Sequence, residues 1–205
     1  MLQLHTVQPR TLGLLNNLMS ETDLAPFTLV GGTALSLQIG HRMSFDLDLF
    51  GFPEMLDIPK ISSLLMDYGE LEQLTASRNI YSVKVNGIKV DFVRYKYDWL
   101  SDVQTRQHIR LAGLEDIAAM KISAITGRGR KRDFTDLYFL IKQFSLSQIL
   151  GFYEQKYPDG NRFLVMKSLL YFADAEEDED PVLFQPADWA IVKKTIEEEV
   201  RKLFV

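Results

Sequence analysis

No cysteine occurs among the 205 residues. That removes disulfides, thiolate zinc sites and cysteine nucleophiles together. Histidine is scarce. His5, His41 and His108 show no metal-ligand spacing, and packing or surface roles are the expectation for them. No apolar run approaches the roughly 20 residues that span a membrane. Residues 1–8 lack the basic-then-apolar pattern of a signal peptide. Positive charge is the minority, 23 Lys and Arg against 28 Asp and Glu, for a net charge of −5. This argues against a general nucleic-acid coat but leaves room for a local basic groove. A soluble, cytoplasmic protein is the expectation. Apolar residues make up 46% of the chain, enough for a real core in one domain or one domain with an appendage.

Hydrophobic spacing divides the chain near residue 112. Residues 7–22 read as a helix through Leu12, Leu15, Leu18 and Met19. Phe27 to Val30 reads as a strand that turns at Gly31-Gly32 into a short helix, Thr33 to Ile39. The segment from Met43 to Phe50 alternates like a strand. Ile61 to Tyr68 reads as a helix. Leu71 to Ser77, Ile80 to Val85 and Ile88 to Tyr95 read as strands. Asn86-Gly87 joins the last two as a hairpin, because a type I′ turn needs positive φ at both central residues. After Leu114 the chain reads as helical: Glu115 to Thr126, Asp133 to Lys142, then helices capped by Ser145 and by Asp159 or Asn161. The acidic run Asp174 to Asp180 reads as a solvated loop. Asp188 to Phe204 is an amphipathic helix with Trp189, Val192, Ile196, Val200 and Leu203 on one stripe.

Asp46 and Asp48 carry the most chemical information. One residue apart on a strand, they share a face, with Phe45, Leu47 and Leu49 on the other. Two carboxylates 4 Å apart repel by roughly 4 kcal/mol at an effective dielectric of about 20. A divalent cation relieves that repulsion, and hard oxygen donors select Mg²⁺ or Mn²⁺. The wet face of an edge strand is the other reading. Asp91 adds a third carboxylate, opposite in facing to Ile88, Val90 and Phe92, on a strand that has room beside the first. Three carboxylates from two strands suit phosphoryl or nucleotidyl transfer with metal ions. The Gly31-Gly32-Thr33 turn opens a helix, where backbone N–H groups and glycines let a phosphate approach.

Two sequence blocks, Val30-Gly31-Gly32-Thr33-Ala34-Leu35 and His41-Arg42-Met43-Ser44-Phe45-Asp46-Leu47-Asp48-Leu49-Phe50, resemble the opening motif of the AbiEii-type nucleotidyltransferases. These belong to the polymerase-beta-like superfamily and are associated with abortive-infection and type IV toxin–antitoxin systems. Lys121, in Asp116-Ile117-Ala118-Ala119-Met120-Lys121, resembles the family's helical lysine motif. Arg132-Asp133-Phe134-Thr135-Asp136-Leu137 resembles its closing motif. The likeness runs from about Leu29 to Lys142, with Thr33 where the superfamily usually carries serine.

The resemblance implies an α/β (α+β) fold, a mixed β-sheet flanked by helices. The expected division is a core over 1–112 and a helical part over 113–205 that completes the active site. It implies an enzyme that transfers a nucleoside monophosphate from an NTP to an acceptor, an RNA end being the favoured one. Gly31, Gly32 and Thr33 would cradle phosphates, with Arg42, Ser44 and Arg132 as further phosphate contacts. Asp46 and Asp48 would hold Mg²⁺ or Mn²⁺, with Asp91 as third ligand or as activator of the acceptor hydroxyl. Lys121 would steady the triphosphate, and Asp133 would orient Lys121 or a substrate hydroxyl. An antitoxin or regulator protein is the implied partner, with no membrane. A solvated basic loop and a phosphate site are both open for Arg128 to Arg132. A nucleotide-binding module without turnover and a small-molecule nucleotidyltransferase are the alternative functions.

Overall fold

A strand needs partners on both edges to lie in the middle of a sheet. In the computed structural model, which describes residues 1–204, β2 (Leu47–Gly51) has them. It runs antiparallel to β1 (Phe27–Val30) and parallel to β5 (Ile88–Arg94). The other strands are β3 (Leu71–Ala76), β4 (Ile80–Val85), β6 (Gln104–Arg106) and β7 (Ile109–Leu111). Their order across one mixed sheet is β3-β4-β5-β2-β1-β7-β6. The sequence pattern did not reveal β6 and β7. They are short, and the turn between them puts Gln107 and His108 at positive φ without any Asn-Gly signal. The Asn86-Gly87 hairpin stands as expected, both residues at positive φ.

The expected strand over Met43 to Phe50 is shorter than its alternation implied. Ser44 only bridges to Val7, and continuous pairing starts at Leu47. Asp46 therefore precedes β2, and Phe45 is exposed rather than packed with Leu47 and Leu49.

The chain divides into two compact units. The first comprises Met1–Lys96 and Val103–Ala112 and holds the whole sheet. Its helix α1 (Pro9–Ser20) buries Thr11, Leu14, Leu15, Leu18 and Met19, a stripe at i, i+3, i+4, i+7 and i+8. Leu12, expected on that stripe, lies at its margin. Helix α2 (Gly31–Ile39) packs on β1 and β2, and α3 (Ile58–Met66) starts at an Asp57 cap.

The second unit, Tyr97–Asp102 with Gly113–Val205, is helical. Helix α4 (Leu114–Gly127) touches α5 (Lys131–Ile141), α6 (Leu146–Lys156) and α7 (Arg162–Leu169). Ala118 and Ala119 are fully buried on α4, and their small side chains allow that crowding. Ser145 caps α6 through a capping box with Gln148. Asn161 rather than Asp159 caps α7. After a one-turn helix, α8 (Ala173–Glu176), Asp188 caps α9 (Trp189–Lys202), which buries Val192, Ile196 and Val200.

One buried ion pair ties this unit together. Lys156 Nζ donates to Asp116 Oδ1 at 2.6 Å and to the Asp98 carbonyl at 2.8 Å. Asp116 also accepts the Leu100 N–H at 3.0 Å, so segment 97–102 is pinned to α4 and α6. Burial pushes the Lys156 ammonium below its ordinary pKa, against the pull of Asp116. A pair like this contributes little over an apolar replacement, but removing one partner leaves the other charge stranded. Lys156→Met is expected to lower stability by about 3–5 kcal/mol, read from urea unfolding. Adding Asp116→Asn should restore part of it. Equal midpoints for wild type and the single variant would show that the pair carries no weight.

Candidate active site

The site in the sheet unit is built around missing side chains. Strand β1 ends at Val30, and α2 begins at Gly31 with φ +66°, a left-handed conformation that favours glycine. A Cβ on Gly31 would lie 2.2 Å from Oδ2 of Asp48. A Cβ on Gly32 would lie 2.4 Å from Nη2 of Arg42 and 3.3 Å from Oγ of Ser44. The two glycines thus let the first turn of α2 settle directly onto Asp48 and Arg42. The helix begins two residues earlier than Thr33, so the glycines themselves form its N-terminus.

The motif residues hold one another. Thr33 Oγ1 donates to the Asp46 carbonyl and is hydrogen-bonded to Ser44 Oγ at 2.8 Å, where the serine hydroxyl is the donor. Arg42 is buried, and its Nη1 donates to the Met43 carbonyl at 2.9 Å. Ser44 N–H donates to the Thr6 carbonyl at 2.9 Å. Asp48 is the register partner of Val30 on β1 and of Asp91 on β5. Register partners on neighbouring strands point to one face, about 5 Å apart. Asp91 is secured by Ser82 Oγ and by the Lys89 ammonium, and its side chain is 20% exposed. Ser82 and Lys89 went unread in the sequence. Their signal lies in the hairpin: counting back from Asn86-Gly87 places Lys84 opposite Lys89 and Ser82 opposite Asp91.

Among the described residues, no group of three or more histidine and carboxylate side chains is placed to hold a metal by itself. Mg²⁺ does not require one. It is usually held by one or two protein carboxylates, with water and substrate phosphates supplying the rest. Asp48 and Asp91 offer two hard oxygen donors on adjacent strands, and the donor set fits such an ion.

The helical unit carries a separate charge cluster. Lys121 on α4 is buried, with Nζ 2.9 Å from Asp133 Oδ1 and 2.6 Å from Asp136 Oδ2. Asp133 and Asp136 lie one helical turn apart on α5, so both carboxylates reach the same ammonium. Arg128 adds a side-on contact to Asp133, Nε to Oδ2 at 2.9 Å and Nη2 to Oδ1 at 3.2 Å. Burial pushes the Asp133 carboxyl up, but Lys121 and Arg128 outweigh it and hold it below its ordinary pKa.

The acidic run differs from the solvated loop expected of it. Asp178 Oδ2 accepts the Lys131 N–H at 2.9 Å at the start of α5, and Arg130 Nη1 reaches Oδ1 of the same carboxylate. Lys131 Nζ donates to the Asp178 carbonyl at 2.6 Å and to Asp180 at 3.1 Å. Opposite charge blocks in one helical unit, one at a helix N-terminus, explain the ordering. Arg132 stays exposed and lines an open groove of about 360 Å³ with Arg130, Asp178 and Glu179.

The sequence profile of the family described as nucleotidyl transferase AbiEii toxin, type IV TA system, matches residues 13–203. The chain belongs to the AbiEii nucleotidyltransferase toxin family. An uncharacterised Aquifex aeolicus protein, aq_aa25, is 38% identical over 157 residues, covering 74% of this chain and 76% of that protein. Two solved structures share the fold. JHP933 from Helicobacter pylori has a TM-score of 0.55 at 20% identity, over 97% of this chain and 95% of the other. The nucleotidyltransferase toxin MenT4 of Mycobacterium tuberculosis has a TM-score of 0.58 at 16% identity, over 96% of this chain and 86% of the other. The AbiEii fold is accordingly the mixed α/β one expected, and the activity is transfer of a nucleoside monophosphate from an NTP.

Gly31→Ala tests the packing of this AbiEii site. A side chain at positive φ that also displaces Asp48 is expected to cost more than about 1 kcal/mol in thermal unfolding and to depress transfer. An unchanged midpoint together with an unchanged rate would contradict the close approach of α2 to Asp48.

Proposed function

We propose that this enzyme adds a nucleoside monophosphate to an RNA end, in the presence of Mg²⁺ or Mn²⁺, as the toxin of a toxin–antitoxin pair acting in the cytoplasm. The observation that carries the reading is the pairing of Asp48 with Asp91 on parallel neighbouring strands, under a helix start made of glycine. In this reading Gly31, Gly32 and Thr33 offer the N-terminus of α2 to the phosphates. Arg42 fixes the loop on which Ser44 and Asp46 stand. Asp48 and Asp91 would hold the divalent ion, with Asp46, on the loop leading into β2, as a further donor once the phosphates are bound; the ion would supply charge neutralisation for the phosphates. An ammonium has three N–H donors, and two of those of Lys121 meet Asp133 and Asp136, leaving one for a phosphate oxygen. Asp133 orients that ammonium. Arg132, exposed at the start of α5, is a further phosphate contact for the acceptor.

The reaction attacks the α-phosphorus with the acceptor hydroxyl oxygen. A new P–O bond forms, the bond to the β-phosphate bridge oxygen breaks, and pyrophosphate leaves. Asp91 takes the hydroxyl proton. Its carboxylate is pre-oriented by Ser82 and Lys89 for that task. An antitoxin protein is the regulating partner. Among the described residues no helix is long and apolar enough to cross a membrane.

The test supplies each of the four α-labelled triphosphates with total RNA, protein extract or small hydroxyl acceptors, with and without chelator. Label is expected on RNA, sensitive to nuclease and lost with chelator. Asp91→Asn is expected to slow it by on the order of 10²-fold or more, the scale of one major transition-state contact. Label confined to protein or to small molecules would overturn the RNA acceptor. Chelator-resistant labelling would overturn the metal.

A further inference from the structure

Six of the seven residues from Asp174 to Asp180 are acidic, and the run divides by what holds it. Its first half is fastened to α9. Ala175 is buried, and Glu176 accepts the Trp189 indole N–H at 2.9 Å and the Lys193 ammonium. Its second half lies on the start of α5. Asp178 takes the Lys131 N–H on Oδ2 and the Arg130 guanidinium on Oδ1, and Asp180 takes the Lys131 ammonium. All of these residues belong to the helical unit.

Carboxylates held this way stand where oxyanions would. A backbone N–H of the first turn of α5, a guanidinium and an ammonium all point at the second half of the run. The same three donor types take phosphate oxygens. The hold is built to exchange. The Arg130 side chain is 57% exposed and that of Asp180 81%. Exposed ion pairs are individually weak and screened by salt. Arg130 and Asp178 also line the open groove of about 360 Å³, so an incoming anion reaches Arg130 before Asp178 has left it. A polymer of phosphates displaces a run of carboxylates better than a single anion does, because counterion release accumulates with each phosphate neutralised.

We propose that segment 178–180 is an autoinhibitory strap: it masks Arg130 and Lys131 at the start of α5, and the phosphodiester backbone of the RNA acceptor binds these two cations by displacing it. The inference rests on the RNA-acceptor reading and adds a regulation to it. When RNA binds, Asp178 and Asp180 leave α5 while Glu176 keeps the strap tethered to α9. The strap therefore returns when RNA leaves.

Binding of a fluorescein-labelled single-stranded RNA oligomer, read by anisotropy, and of inorganic tripolyphosphate, read by calorimetry, compares wild type with Asp178→Asn/Asp180→Asn. The control is Asp174→Asn/Glu177→Gln, which removes the same charge from the same run and leaves the contacts to Arg130 and Lys131 in place. The strap variant is expected to bind RNA on the order of 5-fold more tightly than wild type, and the control less than about 2-fold. Adding Arg130→Gln to the strap variant is expected to cancel the gain. Wild type supplies a readout that needs no variant to fold: the NMR order parameters of residues 178–180 should fall when RNA is added. Equal RNA affinity in the strap variant and the control, or order parameters that RNA leaves unchanged or raises, overturns the proposal. A gain for tripolyphosphate without one for RNA overturns RNA as the displacing ligand. If neither wild type nor the strap variant binds RNA, the RNA-acceptor reading falls and the strap with it. If wild type binds RNA and the strap variant matches it, only the strap falls.

Discussion

The close approach of Gly31 to Asp48 is the constraint on which the sheet unit's site depends. A Cβ there would lie 2.2 Å from a carboxylate oxygen, so the first turn of α2 and the carboxylate can coexist only with glycine. That contact fixes where β1 ends, since Val30 is the register partner of Asp48. It also sets a helix N-terminus beside an acidic side chain, a favourable arrangement in itself because the dipole's positive end faces the charge. Next to it, Gly32 makes room for the buried Arg42, whose guanidinium ties the following loop to its own backbone. Glycine thus acts twice by absence, once for an anion and once for a cation.

The helical unit reaches a comparable arrangement by other means. Its buried charges are paired, as low dielectric demands: Lys156 with Asp116, and Lys121 with Asp133 and Asp136. The first pair is sealed and serves to anchor segment 97–102. The second connects through Asp133 to the half-exposed Arg128. Burial alone raises the Asp133 carboxyl, and the two cations more than reverse this. A carboxylate kept ionised in the interior is suited to positioning donors.

Much of the fold was legible because hydrophobic period and turn chemistry agree. Asn86-Gly87 announced the β4–β5 hairpin, and its register in turn placed Ser82 opposite Asp91. Ser145 announced the cap of α6, and the apolar stripe from Trp189 announced α9. What stayed hidden depended on tertiary pairing. Strands β6 and β7 are too short to show a period, and their turn residues, Gln107 and His108, carry no turn signal. Met43 to Phe50 alternates throughout, but only Leu47 onward finds partner strands, so Phe45 is left exposed. The acidic run looked solvated because its partners, Arg130 and Lys131, lie more than forty residues earlier in the sequence. The Asp46, Asp48 and Asp91 pattern was visible from the outset. That Asp48 and Asp91 are register partners emerged only from the sheet order.

A co-crystal with Mn²⁺ and a triphosphate that cannot be cleaved between its α- and β-phosphates, read by the anomalous signal of the metal, tests the central claim most directly. The account predicts manganese bound by the carboxylates of Asp48 and Asp91, with phosphate oxygens completing its coordination and the phosphates at the N-terminus of α2. Manganese bound elsewhere, or a triphosphate bound away from Gly31 to Thr33, would contradict it.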